Sequence, residues 1–305
     1  MLRILLLLTS GIFFSSALSE QGPDEVEVNV VGDVVYGHDY GMAMTFDVYL
    51  PSKPNGAGVI LINSGGWKSP AQTFKVRSGD TYRYATNEEM FESDSWHVLS
   101  PKLLVTNGFT VFEVRHGSEP KFEMQEIVSH VRRAVRFIRH HASDYGVDAA
   151  RIGLWGGSAS GHLSLLIGTS PEIELEATSQ EWEKQPAMVT AIVAFAPPTD
   201  LARFVTDSPA MLEYLPVLRL TKEQLREFSP ITYVTPNDPP TLIMHGNADD
   251  AVPIVQGELM FEALQSAGVE SSFIEFDETS HSPTLEQAER GVAAALEWFE
   301  KYLLP

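Results

Sequence analysis

Two kinds of hydrophobic pattern alternate along this chain. In VEVNVVGDVVYG (26–37) and MAMTFDVYL (42–50), apolar and polar residues take turns. That two-residue period predicts strands with one solvated face, the antiparallel start of a sheet. Six later runs are short and dominated by apolar residues: GVILINS (58–64), TVFEVRH (110–116), RIGLW (151–155), VTAIVAFA (189–196), TLIMHG (241–246) and SSFIEFDE (271–278). Such runs suit strands covered on both faces. Helical spacing lies between them. Ile127, Val128, Val131, Ala134, Val135 and Ile138 form one apolar stripe, and Gly146 follows as a stop signal. Further helices are expected over 159–168, 253–267 and 285–303. Together these elements predict the α/β class, with a mostly parallel central sheet, antiparallel N-terminal strands and helices on both faces. Two segments break the rhythm. Residues 68–95 are polar and charged, and 197–240 are proline-rich with a helix-start signal at Thr221 and Gln224. Both are expected as insertions in a single domain spanning 20–305.

The first residues do not belong to that pattern. MLRILLLLTSGIFFSSALSE carries one basic residue, Arg3, then an apolar run, then Ala17-Leu18-Ser19. This is the three-part pattern of a secretory signal peptide cut after Ser19, so the protein is expected to be secreted or periplasmic. The apolar run is short for a membrane span and broken by Thr9, Ser10, Gly11, Ser15 and Ser16, so no stable membrane insertion is expected after cleavage. The formal net charge is −20, and removing 1–19 takes away only Arg3. A chain this acidic opposes nucleic acid and anionic lipid as partners. There are no cysteines, which rules out thiol nucleophiles and cysteine-based metal sites. No H-E-x-x-H or comparable ligand spacing occurs, and neither a metal nor a cofactor is expected.

RIGLWGGSASGHLS (151–164) nearly spells G-x-S-x-G, the strand-to-helix turn that presents a nucleophilic serine. It holds two serines, Ser158 and Ser160. Strand and helix approach closely at such a turn, so the residues two before and two after the nucleophile must be small. Centred on Ser158, those positions are Gly156 and Ser160. Centred on Ser160, they are Ser158 and His162, and histidine is too large. Ser158 is therefore the candidate. The following helix would aim free N–H groups and its positive end at a reacting carbonyl.

A carboxylate and a histidine follow in the chain order this chemistry uses. PPTLIMHGNADDAVP ends a buried strand at His245-Gly246 and then offers Asp249, with Asp250 as the fallback. DETSHSP places His281 in a polar loop after the next strand. A histidine there can take the serine proton while the carboxylate fixes its tautomer. Stabilising the developing oxyanion requires backbone N–H donors. Ala159 supplies one, and NSGGW (63–67) offers Gly65 and Gly66. His116, His162 and the run Arg132, Arg133, Arg136 and Arg139 are assigned to packing or to a solvated helix face.

With these residues in view, the sequence resembles an α/β-hydrolase of the esterase/lipase type. It is similar to stand-alone feruloyl- and acetyl-xylan-esterase-like proteins and to the catalytic domain of the prolyl oligopeptidase family. GVILINSGGW resembles the family's H-G-G-G-W segment, with Asn63 and Ser64 as departures. RIGLWGGSASGHLSLL resembles its G-x-S-A-G-G-H run, with Ser160 for one glycine. SPITYVTPNDPPTLIMHGNADDAVP resembles its H-G-x-x-D-x-x-V-P segment, which selects Asp249 over Asp250. The resemblance implies the α/β-hydrolase fold and an acyl-enzyme mechanism through Ser158, His281 and Asp249. The stretch before GVILINS is too short for the propeller that such oligopeptidases carry, so a carboxylic-ester hydrolase is expected, acting on a small-molecule or carbohydrate ester. A serine peptidase or amidase is the alternative. A non-catalytic binding protein on a hydrolase scaffold is the other, prompted by positions 63, 64 and 160. The two insertions are expected to shape the substrate pockets, with Trp67 lining one.

Overall fold

The computed structural model describes residues 28–69, 74–79, 81–85, 100–172 and 180–305. The proposed signal peptide, 1–19, lies outside them. A ten-stranded sheet organises these residues. In chain order its strands are β1 (Asn29–Asp39), β2 (Met42–Leu50), β3 (Gly58–Asn63), β4 (Lys75–Ser78), β5 (Thr81–Tyr84), β6 (Thr110–Arg115), β7 (Ile152–Gly157), β8 (Ala191–Phe195), β9 (Thr241–Gly246) and β10 (Ser271–Phe276). The spatial order is β10-β9-β8-β7-β3-β6-β2-β1-β5-β4. From β10 through β6 every pairing is parallel, and from β6 outward to β4 every pairing is antiparallel.

The sequence pattern explains this division. β3, β7, β8 and β9 are buried almost throughout, as unalternating apolar runs require. β1 alternates between exposed and half-buried positions, as its two-residue period predicts. Two apolar layers cover the sheet. One face packs against α2 (Met124–His140), whose stripe residues Ile127, Val131, Ala134, Val135 and Ile138 are all buried, and against α3 (Ala159–Thr169) and α7 (Val255–Ala267). The other packs against α1 (Lys102–Thr106) and α8 (Leu285–Leu303).

Some expectations shift. Helix α2 stops at His140, and Gly146 instead closes the following 3-10 turn, Ala142–Tyr145, in the left-handed conformation that glycine tolerates. The polar 68–95 segment contains a hairpin, β4–β5, that extends the sheet past β1. Its strands were illegible because few apolar residues mark them. An ion-pair cluster does that work: Lys75 bonds both Asp33 and Asp47, and Arg115 holds Asp47 from β6. Residues 70–73, 80 and 86–95 of that segment lie outside the described set. The 197–240 segment folds into short helices: α4 (Leu201–Asp207), α5 (Met211–Tyr214) and α6 (Lys222–Glu227), with 3-10 turns at Pro216–Leu218 and Pro230–Tyr233. Thr221 and Gln224 form the expected capping box of α6.

Because the six strands from β10 to β6 run parallel, their carboxyl ends open on one edge of the sheet. Loops leaving β3, β7, β9 and β10 meet there, and that is where parallel sheets build sites.

Candidate active site

Ser158 stands between β7 and α3 with φ 55° and ψ −123°, a strained conformation for a residue with a side chain. Its own N–H is anchored to the Phe195 carbonyl at 2.7 Å, and its carbonyl accepts the His162 N–H at 2.9 Å. The turn is as tight as the small-residue argument requires. A Cβ on Gly156 would lie 2.3 Å from the Ser160 carbonyl oxygen. Ser160 is fully buried. Its hydroxyl donates to the Gly157 carbonyl at 2.7 Å and accepts the Gly157 N–H at 2.9 Å, so it braces the turn from within. Ser158 is the serine left facing the cleft, half-buried.

The structure brings the three residues assigned from sequence into one hydrogen-bonded line. The Ser158 hydroxyl lies 3.0 Å from His281 Nε2, and His281 Nδ1 lies 2.7 Å from Asp249 Oδ2. With Nδ1–H donated to the carboxylate, Nε2 carries the lone pair that faces the serine. Asp249 is fixed by its own loop, since Oδ1 accepts the N–H groups of Ala251 and Val252 at 3.0 and 2.8 Å. Burial pushes the Asp249 carboxyl up, but His245, His281 and the Val252 N–H more than offset it and hold it well below the usual carboxylate range. Asp250 is exposed.

His245 had no assigned part in this line, yet it stands behind Asp249. It is fully buried, donates Nε2–H to the Val252 carbonyl at 2.8 Å, and comes within 3.5 Å of Asp249 Oδ2. Its spacing of four residues from Asp249 was visible in HGNAD, but the closing of that loop onto Val252 was not.

The segment after β3 forms a two-residue hairpin. Gly65 and Lys68 exchange both backbone hydrogen bonds, at 2.9 and 3.0 Å, while Gly66 and Trp67 take φ of 56° and 59°. This corrects the reading of Gly65: its N–H is given to Lys68 and is not available to an anion. The N–H groups of Gly66 and Trp67 meet no acceptor among the described residues. The N–H of Ala159, at the first position of α3, has no helical carbonyl within reach. Trp67 is corrected as well. It is 1% exposed, donates Nε1–H to His162 Nδ1 at 3.2 Å and meets that ring edge-on, so it is packed inside as the anchor of the hairpin. His162 passes its Nε2–H on to the Phe228 carbonyl at 2.7 Å, and burial pushes its imidazole down to about 4. The residue that does come over the hairpin is Leu215, from the 197–240 segment. A Cβ on Gly66 would lie 2.8 Å from Leu215 Cδ2.

Residues 46–264 match the BD-FAE family over more than two thirds of the chain. The chain belongs to that family. BD-FAE membership agrees with the α/β-hydrolase fold described above. A structure described as a truncated form of carbohydrate esterase from gut microbiota superposes with a TM-score of 0.68, covering 92% of this chain and 99% of that one at 24% identity. Among curated proteins, the probable carboxylic ester hydrolase LipM of Mycobacterium tuberculosis is 28% identical over 52% of this chain and 38% of its own length. The acylamino-acid-releasing enzyme of Mus musculus is 28% identical over 61% of this chain and 26% of its own. The chain thus spans less than half the length of these relatives. Among the described residues, no helix is long and apolar enough to cross a membrane.

Proposed function

We propose that this BD-FAE protein is an exported serine hydrolase that cleaves carboxylic esters through an acyl-enzyme. The observation that carries the reading is the line Ser158–His281–Asp249, with bonds of 3.0 and 2.7 Å, at the carboxyl edge of the parallel strands. Ser158 Oγ attacks the ester carbonyl while His281 Nε2 takes its proton. The new oxyanion is met by the N–H of Ala159 and by the N–H groups of the Gly66-Trp67 turn. As the intermediate collapses, His281 returns the proton to the departing alcohol. Water then attacks the acyl-serine while His281 again accepts the proton, and as this second intermediate collapses His281 returns the proton to Ser158 Oγ and the carboxylic acid leaves. Asp249 stays ionised throughout and balances the imidazolium.

The substrates proposed are esters of short acyl groups on a small-molecule or carbohydrate alcohol. Leu215 seated over Gly66 supports a short acyl group, because it occupies space beside the oxyanion donors. Peptide-bond hydrolysis is the second reading, favoured by the similarity to an acylamino-acid-releasing enzyme. Amide cleavage asks more of the same machinery, since an amine leaves only when protonated and the peptide must be held in register.

The test is a panel of acyl-nitrophenyl esters and peptide anilides on the purified protein. We expect kcat/KM for acetyl to butyryl esters to exceed that for any anilide by at least ~100-fold, about 2.7 kcal/mol of transition-state preference. Comparable efficiency on an alanyl or prolyl anilide would replace the esterase reading with the peptidase one. Export is tested separately, by N-terminal sequencing of secreted material for cleavage after Ser19.

A further inference from the structure

The apolar run TVFEVRH places a carboxylate in the middle of a central strand. In the fold Glu113 is completely buried on β6, between β2 and β3. A buried carboxylate is costly unless its lone pairs are filled. Here they are filled from both neighbouring strands: Tyr49 of β2 donates its hydroxyl at 2.6 Å, and Asn63 of β3 donates Nδ2–H at 2.8 Å. Asn63 is the last residue of β3 and immediately precedes the 64–68 hairpin. Its main-chain carbonyl accepts the Ser69 hydroxyl at 2.6 Å. The hairpin thus leaves from Asn63 and returns to it, and Asn63 is itself held by Glu113.

We infer that Glu113 is a positioning residue for the hairpin that carries the Gly66 and Trp67 N–H groups, acting through Asn63. The inference rests on the ester-hydrolase reading and extends it to a residue that touches no substrate. Its physical basis is the narrow tolerance of oxyanion stabilisation, in which donors must sit at hydrogen-bond distance from where charge develops. A charged acceptor grips the Asn63 amide more firmly than a neutral one.

The surroundings make this grip sensitive to pH. Burial pushes the Glu113 carboxyl up to about 7; Tyr49, Arg115 and Asn63 pull it back, and Asp47, its cross-strand partner on β2, adds to the rise. Tyr84 packs edge-on against Tyr49 at 5.6 Å and faces the same layer. Once protonated, the carboxyl brings a hydrogen to a place where two donors already point.

The test exchanges donor and acceptor. Glu113→Gln leaves a single neutral acceptor for two donors, so either Asn63 or Tyr49 loses its bond to a carboxylate oxygen and meets an amide N–H, whereas Glu113→Gln with Asn63→Asp keeps the Tyr49 bond and restores the bond to position 63 with its polarity reversed. Turnover of an acetyl ester by the wild type is measured first, and its absence would take down the ester-hydrolase reading and this inference with it. Given wild-type turnover, we expect Glu113→Gln to lower kcat by about 10- to 100-fold, less than the ~10²- to 10³-fold lost when a donor is removed outright. KM should stay within about twofold, because ground-state binding does not use the oxyanion donors. The double variant should recover most of kcat. The slope of log kcat/KM on acidification through about 7 should also be shallower in Glu113→Gln than in the wild type, because the variant lacks the Glu113 proton. A Glu113→Gln enzyme with wild-type kcat and slope would overturn the inference, as would a double variant no better than the single. Should Glu113→Gln fail to fold, the double variant alone decides: kcat near wild type supports the inference, and kcat far below it refutes it.

Discussion

At the scale of the residue, the two serines of GGSAS separate by what their hydroxyls touch. Ser158 Oγ faces His281, and Ser160 Oγ is spent on both polar groups of Gly157. Ser158→Ala should therefore remove ester hydrolysis by several orders of magnitude, since loss of the nucleophile leaves only binding and oxyanion effects. Ser160→Ala should keep most of the activity. It should instead lower stability by about 1–3 kcal/mol, because the buried Gly157 N–H loses its acceptor. Mass mapping of a fluorophosphonate adduct decides the assignment, and an adduct on Ser160 would reverse it. Trp67 teaches a complementary lesson. An aromatic residue beside an oxyanion segment invites a substrate-contact reading, but its positive φ and its bond to His162 make it a structural pin.

At the scale of the element, the site depends on where short segments are laid down over the strand ends. Leu215 closes the space above Gly66, and it is carried by the connection between α5 and the Pro216–Leu218 turn. Leu215→Ala should open that space. The ratio of kcat/KM for hexanoyl over acetyl ester should rise by about 10-fold, in line with the ~1–3 kcal/mol that one methylene is worth in an apolar pocket. A chain-length profile unchanged by the substitution would place the acyl group elsewhere. The helices of this segment are short, the longest being Leu201–Asp207, and none offers an extended apolar surface for long-chain lipid.

At the scale of the whole molecule, buried histidines couple stability to pH. His116 and His162 are both pushed down to about 4 by burial, whereas in the unfolded chain they titrate near 6.5. Between those values the unfolded chain binds more protons, so stability falls as pH drops from about 6.5 toward 4. Asp249 acts in the same direction but only at lower pH, since the stability from its depressed carboxyl is lost as pH falls below the ordinary carboxylate range. Glu113 opposes them: its folded form keeps a proton up to about 7, which favours the fold as pH falls from there toward the usual carboxylate range. Between pH 7 and 4.5 the two histidines outweigh the one glutamate. Urea unfolding at pH 7 and pH 4.5 should show the lower stability at pH 4.5, and a higher value there would contradict this balance.

The sequence by itself determined the strand and helix rhythm, the parallel core and the turn that singles out Ser158, while His281 and Asp249 followed from chain order and the family resemblance. Those features are local: burial of a strand shows as an unbroken apolar run, and a tight turn shows as small residues at fixed offsets. The interval from Leu285 to Leu303 was legible for the same reason, with Thr284 and Gln287 capping an amphipathic helix. The tertiary structure alone decided which backbone N–H groups remain open, because that depends on a hairpin in which Gly65 spends its own on Lys68. It alone put His245 behind Asp249, Leu215 over Gly66 and Glu113 beneath Asn63. Each of these pairs residues distant in the chain or closed on each other by a loop, and no periodicity records such a meeting. The β4–β5 hairpin is hard to read in the sequence because each strand has only four residues and charge, through Lys75, Asp33 and Asp47, helps Val76 and Tyr84 hold it to the sheet.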